Sequence, residues 1–318
     1  MNSENPRVVV VGSFVQDLTF YAREFPAPGE SRIGRFVTGP GGKGFNQAIA
    51  CHRQGVPTLF VGGVGDDGFA EGARAFAAAE GLQVEFVVRS GVASGAASVV
   101  VNDQAENMIV VALGANDEIS SADVERAAAA ISGAAVVLCQ TECNMGATRR
   151  ALELGRNGGA MTILNPAPIN DAIDLEQIQL ADVIVPNETE FAFLAEHLLG
   201  ERLADEYWQM DPASLHALCA RLGVGTVVLT LGGSGCFESH HGAGAPKPGW
   251  RAVPAIAVEP VDTTGAGDAF NGGLAAGLVE HPNDFAAAVD HANRVAGLSV
   301  TRPGTAPAMP TRADVDAV

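Results

Sequence analysis

The sequence predicts an α/β protein: a doubly wound, mostly parallel sheet with helices on both faces, plus a small β-sheet lid. Short apolar runs bounded by Gly, Pro, Asn or Asp alternate with stretches of helical spacing, a pattern typical of a sheet wound on both faces. Two strand-rich segments interrupt this alternation, at about 14–40 and 95–115. We therefore expect a single domain over residues 1–318, with the lid inserted at those two segments.

The predicted strands of the main sheet are short, as buried parallel strands usually are. In chain order they occupy residues 8–11, 58–61, 135–138, 161–164, 183–185 and 226–231. Helical spacing predicts helices over residues 69–80, 121–131, 146–156 and 212–222. In the lid, the apolar runs ASVVV and MIVVAL flank a polar turn at 102–107 and predict a hairpin, which would exclude water from a site beneath it.

Composition argues against several classes of partner. A net charge of −18 disfavours nucleic acid and anionic membrane surfaces as main partners. The valine run near the N-terminus is far shorter than a signal-peptide core, and no stretch reaches the length of a membrane span. The five cysteines are odd in number and lack the paired CxxC spacing of a metal site. We therefore expect a cytoplasmic protein with reduced thiols.

The most informative segment is DTTGAGDAFNGG, at 262–273. Because Gly265 and Gly267 lack a Cβ, the turn through Ala266 can point successive backbone N–H groups into one concavity at the start of an apolar helix. Such a nest attracts anions, above all phosphate. The ligand would repel Asp268 unless that carboxylate has a function there, and a base for an attacking hydroxyl is one. The segment therefore suggests phosphoryl transfer, with a simple glycine-rich helix cap as the alternative.

Two other glycine-rich segments resemble nucleotide motifs but fail in detail. GVGDDG at 63–68 has the spacing of a dinucleotide fingerprint, yet Asp66 and Asp67 would lie where the pyrophosphate binds. GPGGKG at 39–44 lacks the Ser or Thr of a Walker A loop, because Gly44 follows Lys43. We therefore expect a nucleotide to bind through neither of these two motifs but at another site.

With GPGGKGFNQAIA near one end and DTTGAGDAFNGGL near the other, the sequence closely resembles the ribokinase-like family of carbohydrate kinases, often called PfkB kinases. The resemblance covers nearly the whole chain, and the two signatures lie in the expected order. It implies transfer of the γ-phosphoryl group of ATP to a sugar hydroxyl, with Mg²⁺ offsetting the developing charge. By the same resemblance, Asp268 is the catalytic base and contacts the substrate, and the amides of Gly265, Ala266 and Gly267 form the anion hole.

The first signature supplies sugar contacts in this family. By resemblance these are the loop at Gly42 and Lys43 and the side chain of Asn46, whose amide offers both donors and an acceptor. A glycine-rich turn that caps a helix from about residue 46 is the structural alternative. Asp17 and Glu142 match two further sugar-contacting carboxylates, although an Asp after a strand is often only a turn residue.

The nucleotide and Mg²⁺ contacts come from three other segments. Asn187 and Glu190, in PNETE, match the family's NxxE element, which orders Mg²⁺ and the phosphates. The same spacing is that of a helix capping box, which is the competing role for Glu190. The resemblance also implies that Thr230 and Gly232 border the nucleotide and that Asn293 lies near the adenine.

Ribokinases that resemble this chain are activated by a monovalent cation, which implies K⁺ as an activator. Hard oxygen ligands, several of them backbone carbonyls, would hold it. The matching positions are Asp262, Thr264, Ser299, Arg302 and Gly304. A final family ligand, usually Ser, falls at Ala308, which predicts an altered site.

The substrate is inferred from the first signature and from the residues near Asp17. GGKGFNQ resembles ribokinases and predicts conversion of D-ribose to D-ribose 5-phosphate, whereas Val15 replaces an Asn that is common in bacterial ribokinases. A nucleoside or another sugar or phosphosugar is therefore the alternative. A sugar sensor without catalysis is a different class, against which the intact Asp268 argues. Exposed lid strands need covering, and related ribokinases dimerise by pairing their lids, so we expect a homodimer.

Overall fold

The computed structural model describes residues 6–104, 106–241 and 248–318. The strands follow the valine-rich and other apolar runs of the sequence. In chain order they are β1 (Val8–Val11), β2 (Val15–Tyr21), β3 (Arg35–Gly41), β4 (Thr58–Gly65), β5 (Gln83–Arg89), β6 (Gly95–Val101), β7 (Asn107–Ala112), β8 (Val136–Gln140), β9 (Met161–Asn165), β10 (Val183–Ile184), β11 (Thr226–Thr230), β12 (Cys236–His240) and β13 (Gly249–Val253).

The helices lie between these strands and at the C-terminal end of the chain. They are α1 (Lys43–Arg53), α2 (Gly68–Glu80), α3 (Ser121–Val124), α4 (Ala128–Gly133), α5 (Met145–Gly158), α6 (Leu175–Ile178), α7 (Glu188–Leu199), α8 (Pro212–Ala220), α9 (Ala266–Glu280), α10 (Phe285–Ser299) and α11 (Arg312–Asp316). Within the described ranges, none of them has the length and apolar character that crossing a membrane requires.

Nine strands of the described ranges form the main sheet, in the order β13-β12-β11-β10-β9-β8-β1-β4-β5. Neighbouring strands are parallel except at the β12 edge, where β11–β12 and β12–β13 are antiparallel. Strand β1 lies between β4 and β8, so the chain leaves it toward opposite edges of the sheet. This arrangement is a topological switch point, and open α/β sheets bind ligands there, beyond the carboxyl ends of the strands.

The two faces of the main sheet carry separate apolar cores. Val8 and Val10 pack into the core built from α1, α2, α9 and α10. Val9 and Val11 point the other way, into the core that includes α4, α5, α7 and α8. Successive residues of a strand face opposite sides, so a continuous valine run is what a strand buried on both faces requires.

A second sheet in the described part of the chain has four strands, in the order β3-β2-β6-β7. Strands β6 and β7 pair antiparallel around the polar turn, which confirms the predicted hairpin. Asp17 lies within β2 opposite Gly39. It is therefore a residue of this small sheet, and the interpretation of Asp17 as a turn residue after β1 is wrong.

The fold class and all six predicted main-sheet strands are confirmed, with ends that differ by a few residues. The predicted helix at 121–131 is divided: a 3₁₀ turn, Glu125–Ala127, separates α3 from α4. Over three residues the periods of 3₁₀ and α-helix are too close for spacing to separate them. Similarly, α1 begins at Lys43, earlier than expected.

The acidic turn at 63–68 is filled by its own carboxylates. Asp67 caps α2 by accepting from the Ala70 N–H, and it also accepts from the Ser94 N–H and hydroxyl. Asp66 accepts from the Ser90 hydroxyl at 2.8 Å. Two carboxylates thus occupy the place where a pyrophosphate would bind, which agrees with the rejection of a dinucleotide site at this turn.

Candidate active site

The glycine-rich segment at 262–273 forms the N-terminus of α9. Gly265 is the N-cap residue, with φ 80°, a left-handed conformation that glycine adopts without steric cost. The first-turn amides of a helix have no partners within the helix. One of them, the Ala266 N–H, donates to the Thr263 carbonyl at 3.2 Å, so in this conformation it is engaged by the protein.

Asp268 lies in that first turn and is 6% exposed. Both of its carboxylate oxygens accept hydrogen bonds from side-chain amides of α1. Asn46 Nδ2 donates to Oδ2 at 2.9 Å, and Gln47 Nε2 donates to Oδ1 at 2.9 Å. The two signature segments therefore meet at one carboxylate. Two donors, one on each oxygen, thus fix the orientation of this carboxylate.

A cavity of about 160 Å³ opens at this point. Its walls combine the N-terminus of α9 with polar side chains from α1, α7 and the carboxyl ends of β9 and β11. The lining residues are Lys43, Asn165, Ala167, Val185, Asn187, Glu190, Thr230, Thr263, Gly265, Ala266, Gly267, Asp268 and Asn271. Eight of the predicted site residues thus border a single space, at the sheet edge where the switch point predicts a ligand.

The predicted sugar contacts cluster around the N-terminus of α1. Gly42 is the N-cap residue of α1, with φ 91°. Glu142, just beyond β8, accepts from the Lys43 N–H at 2.8 Å and from the Ser13 hydroxyl. A carboxylate at a helix N-terminus is electrostatically favourable. The Asn46 Oδ1 is buried and has no hydrogen-bond partner among the described residues, which leaves an acceptor for a ligand.

Asp17 reaches the site from the small sheet. Its Oδ2 accepts from the Thr305 hydroxyl at 2.9 Å. Burial raises the pKa of Asp17 to about 6; the Thr305 hydrogen bond opposes this shift, and the charges of Glu142 and Asp268 add to it. A buried carboxylate of this kind gains from a ligand that donates hydroxyl groups to it.

The ammonium group of Lys43 interacts with the charges of several buried carboxylates. Burial alone would lower the pKa of Lys43, but three neighbouring charges outweigh burial and raise it; they belong to Asp268, Glu142 and Glu190. Burial in turn raises the pKa of both Glu142 and Glu190, while the charge of Lys43 opposes these shifts. Lys43 therefore remains protonated and provides positive charge inside an acidic protein.

Asn187 and Glu190 form a complete capping box at the start of α7. Asn187 Oδ1 accepts from the Glu190 N–H at 2.8 Å, and Glu190 Oε2 accepts from the Asn187 N–H at 2.9 Å. The structural role that competes for Glu190 is thus realised in this conformation. Both side chains also line the cavity, and Thr230 is held beside them by its N–H bond to the Pro186 carbonyl.

The remaining nucleotide candidates lie outside that cavity. Gly232 is exposed in a 3₁₀ turn after β11, and Asn293 on α10 donates to the Pro254 carbonyl at 2.7 Å. A second cavity of about 290 Å³, with mostly apolar walls, touches Leu231 and Pro254. Leu231 precedes Gly232, and Pro254 accepts the hydrogen bond from Asn293. This cavity is therefore adjacent to Gly232 and Asn293, although neither residue lines it.

The predicted cation segments, at 262–264 and 299–304, lie side by side. Asp262 N–H donates to the Val300 carbonyl at 3.1 Å. The Asp262 carboxylate accepts from the N–H groups of Thr264 and Gly304, each at 2.9 Å. Ser299 is buried with its hydroxyl on the Ala296 carbonyl. Arg302 instead directs its guanidinium outward, to Asp314. Ala308 is buried and brings no oxygen from its side chain.

Several polar residues of the site had no role in the sequence interpretation. Gln47 and Asn165 are buried beside Asp268, Ser13 donates to Glu142, and Thr305 donates to Asp17. Asn271 lines the cavity, and its buried Oδ1 has no hydrogen-bond partner among the described residues. Gln47 and Asn271 belong to the two signatures, so those motifs could have indicated them. Thr305 and Ser13 lack such a signal, because their partners are distant in sequence.

Comparison with known proteins agrees with this geometry. The family described as pfkB family carbohydrate kinase matches residues 5–312. The ribokinase of Mus musculus is 36% identical over 315 residues, covering 98% of this chain and 94% of that protein. The deoxyribokinase of Salmonella typhi is 32% identical over 312 residues, covering 96% and 95%.

A solved structure supports the same relationship. The ribokinase of Arabidopsis thaliana, in a structure described as complexed with ribose and ATP, superposes with a TM-score of 0.83 at 29% identity. The match covers 99% of this chain and 98% of that one. The similarity thus extends over the main sheet and the small sheet alike.

Proposed function

The chain belongs to the pfkB family of carbohydrate kinases, and from this premise we propose that it transfers the γ-phosphoryl group of ATP to the primary hydroxyl of D-ribose. The product would be D-ribose 5-phosphate, with ADP released. The observation that carries the proposal is the buried Asp268 carboxylate, which accepts from the Asn46 amide at the edge of a cavity that Lys43 also lines. The ribokinases among the relatives support ATP and ribose as the substrates.

In this proposal Asp268 accepts the proton of the sugar hydroxyl while that oxygen forms its bond to the γ-phosphorus. The bond to the ADP oxygen breaks, and its electron pair leaves with ADP. Negative charge on the transferred group would be offset by the amides of Gly265, Ala266 and Gly267 and by Lys43. The Ala266 N–H must first leave the Thr263 carbonyl, so closure of the site includes a small change in this turn.

The sugar would lie between the small sheet and α1. Its hydroxyl groups would donate to the carboxylates of Asp17 and Glu142 and to the free Asn46 Oδ1. The backbone at Gly42 and Lys43 would approach the ring closely, since glycine leaves room for it. Burial of both carboxylates supports this role, because each gains a donor when the sugar binds.

The residues at the start of α7 suit Mg²⁺, which prefers oxygen ligands and usually retains several waters. Glu190 and Asn187 would hold it through water and the nucleotide phosphates, and the unpartnered Asn271 Oδ1 is a further acceptor for such water. When bound, the ion would neutralise phosphate charge. For the nucleotide, we propose that Thr230 and Gly232 border the phosphates and that Asn293 lies near the adenine.

We also propose activation by K⁺ beside the anion hole. The pairing of segments 262–264 and 299–304 supports such a site, because both reach the N-terminus of α9. The proposed ligands, largely backbone carbonyls, come from Asp262, Thr264, Ser299, Arg302 and Gly304. The absence of a side-chain oxygen at Ala308 implies weaker binding than in a site with Ser there.

The chain would act as a single domain in which the small sheet is a lid over the sugar. Its outer face is apolar and exposed, which supports a homodimer formed by two lids. The five cysteines are all free and buried, as a reducing cytoplasm would favour.

Substrate identity is tested by ADP release with Mg²⁺ and ATP against D-ribose, 2-deoxy-D-ribose, other pentoses, hexoses, phosphosugars and nucleosides. Ribose is expected to give the highest kcat/KM. The deoxyribokinase relative and the apolar Val15 favour 2-deoxy-D-ribose as the second candidate, because Val15 removes a polar contact. A higher kcat/KM for a nucleoside or a phosphosugar than for ribose would show that the substrate belongs to that class and not to the free pentoses.

The mechanism is tested with Asp268→Asn. Loss of the base is expected to lower kcat by about 10²-fold or more while sugar binding persists. Turnover equal to that of the unchanged protein would overturn the role of Asp268. Sugar binding without turnover of any substrate by the unchanged protein would instead indicate a sensor.

A further inference from the structure

A network of buried side-chain amides packs against Asp268, and one of its members, Asn165, also lines the cavity. We propose that Gln47 is a positioning residue for the base: anchored by Gln140 and Asn165, it fixes the orientation of the Asp268 carboxylate. This inference rests on the function proposed above, in which Asp268 accepts the hydroxyl proton.

The hydrogen bonds of Gln47 are mutually consistent in only one orientation of its amide. Nε2 has two protons; one goes to Asp268 Oδ1 at 2.9 Å and the other to Asn165 Oδ1 at 3.0 Å. Oε1 accepts from Gln140 Nε2 at 2.6 Å. A flipped amide would set Oε1 against two acceptors and Nε2 against a donor.

The partners of Gln47 are themselves held by the main sheet. Gln140 and Asn165 end β8 and β9 and are direct register partners across that strand pair. Asn165 Nδ2 donates to the Val185 carbonyl at 2.8 Å, which fixes Asn165 Oδ1 as an acceptor. The position of the Asp268 carboxylate is thus linked through side chains to the rigid centre of the sheet.

Burial makes this network costly to disturb. Gln47 and Gln140 are both 0% exposed, and Asn165 is 6% exposed. A buried amide that loses its partner pays a desolvation penalty, so the three hydrogen bonds of Gln47 are costly to break. All polar atoms of Gln47 are engaged by the protein, so it acts on the substrate only through Asp268.

Asn46 and Gln47 both donate to the Asp268 carboxylate, but they have different further contacts. Each donates to a different carboxylate oxygen, so rotation of Asp268 would break both bonds. Asn46 also has a free acceptor for a ligand, whereas Gln47 has none. The sequence signature therefore encodes two adjacent amides with different tasks, one shared with the sugar and one devoted to the base.

The test replaces Gln47 with Met, which has similar length but no hydrogen bonds. Gln47→Met is expected to lower kcat about tenfold to a hundredfold and to change the KM values for sugar and ATP less than about twofold, because the carboxylate loses its orientation while the ligand contacts remain. Gln47→Glu, which sets a like charge against Asp268, should lower kcat further.

Gln54→Met is the matched control. Gln54 follows α1, is 2% exposed and donates to the Pro310 carbonyl at 2.8 Å, so it loses a comparable buried bond away from the base. This variant should keep the kcat and KM values of the unchanged protein.

A readout without turnover separates this inference from the proposed function. The ¹³C carboxyl resonance of Asp268, assigned with Asp268→Asn, responds to the hydrogen bonds of the carboxylate, so its chemical shift should change in Gln47→Met and Gln47→Glu but not in Gln54→Met. The same chemical shift in all of them and in the unchanged protein would overturn the positioning role. If no sugar is turned over, the proposed function fails while the chemical shift still decides the role of Gln47.

Discussion

The hydroxyl of Thr305 donates a hydrogen bond to Asp17 Oδ2 at 2.9 Å, across a sequence separation of 288 residues. It joins the small sheet to the segment that follows α10, next to Gly304, whose N–H binds Asp262. The pKa of Asp17, raised to about 6 by burial, would be higher still without this bond. One hydroxyl thus tunes the charge of a proposed sugar contact.

Sugar affinity is expected to depend on pH through Asp17. Above pH 6 the carboxylate is ionised and accepts hydroxyl donors; as the pH falls through about 6 it becomes protonated, and binding weakens. Calorimetric titration with D-ribose between pH 5 and 8 measures this change. Affinity that stays constant across this range would argue against a sugar contact by Asp17.

Thr305→Val is expected to move that transition upward by about one pH unit, since the lost bond favours the ionised form. Thr305→Ser keeps a hydroxyl and serves as the control. The ribose titration repeated with both variants checks this expectation. An identical midpoint in the Val and Ser variants would show that the bond does not set the charge of Asp17.

The sequence predicts the centre of this fold because local signals agree there. The run Val8–Val11 is apolar on both faces and becomes the central strand, and the glycines around Asp268 become a helix N-terminus at the switch point. Three strands of the described main sheet were not predicted: β5 at one edge, and β12 and β13 at the other, where an antiparallel pair follows no βα alternation.

Contacts between distant segments lie beyond sequence patterns. The hydrogen bonds from Gln47 to Asp268 and to Asn165 span 221 and 118 residues. Neither the sequence spacing of these residues nor their types predicts these contacts. Glu190 shows the complementary limit: one sequence pattern encodes a capping box and a proposed metal contact, and the structure contains the first.

The two roles of Glu190 can be separated by comparing Gln and Ala. Glu190→Gln retains an acceptor for the Asn187 N–H but loses the charge, so stability should change little while half-activation by Mg²⁺ shifts roughly tenfold upward. Glu190→Ala should in addition lose about 1 kcal/mol of stability. Thermal unfolding and Mg²⁺ titrations of activity measure both effects. A normal Mg²⁺ response in the Gln variant would leave Glu190 as a cap only.

Asp262 is expected to control activation by K⁺. Its two oxygens hold the N–H groups of Thr264 and Gly304, so Asp262→Ala should separate the proposed cation segments and raise half-activation by K⁺ at least about tenfold. Rates in KCl and in tetramethylammonium chloride measure this. Asp211→Ala is the control, because Asp211 likewise accepts two backbone N–H groups, at the start of α8. An unaltered K⁺ response in Asp262→Ala would place the cation elsewhere, and rates independent of K⁺ in the unchanged protein would exclude activation.

The outer face of the lid follows from the register of its strands. Side chains alternate between the faces of a sheet, so the residues beside Asp17 in β2 point away from its face. Phe20 and Phe36 are register partners with ring centroids 4.9 Å apart, and Met108 continues the same row through β6. These three side chains are 44%, 51% and 59% exposed, and Val110 of the same face is 73% exposed. The face opposite Asp17 is thus an apolar patch suited to a second copy of itself.

If the proposed homodimer forms through this face, Val110→Glu is expected to convert it into a monomer, because the substitution places a charge in an apolar interface without solvent. Val88→Glu is the matched control: Val88 is 47% exposed on β5 at the far edge of the main sheet, and its substitution should leave the mass unchanged. Light scattering coupled to size-exclusion chromatography, over a range of protein concentrations, measures the mass of each variant. A monomeric unchanged protein, or a Val110→Glu dimer as stable as the control, would exclude this face as the interface.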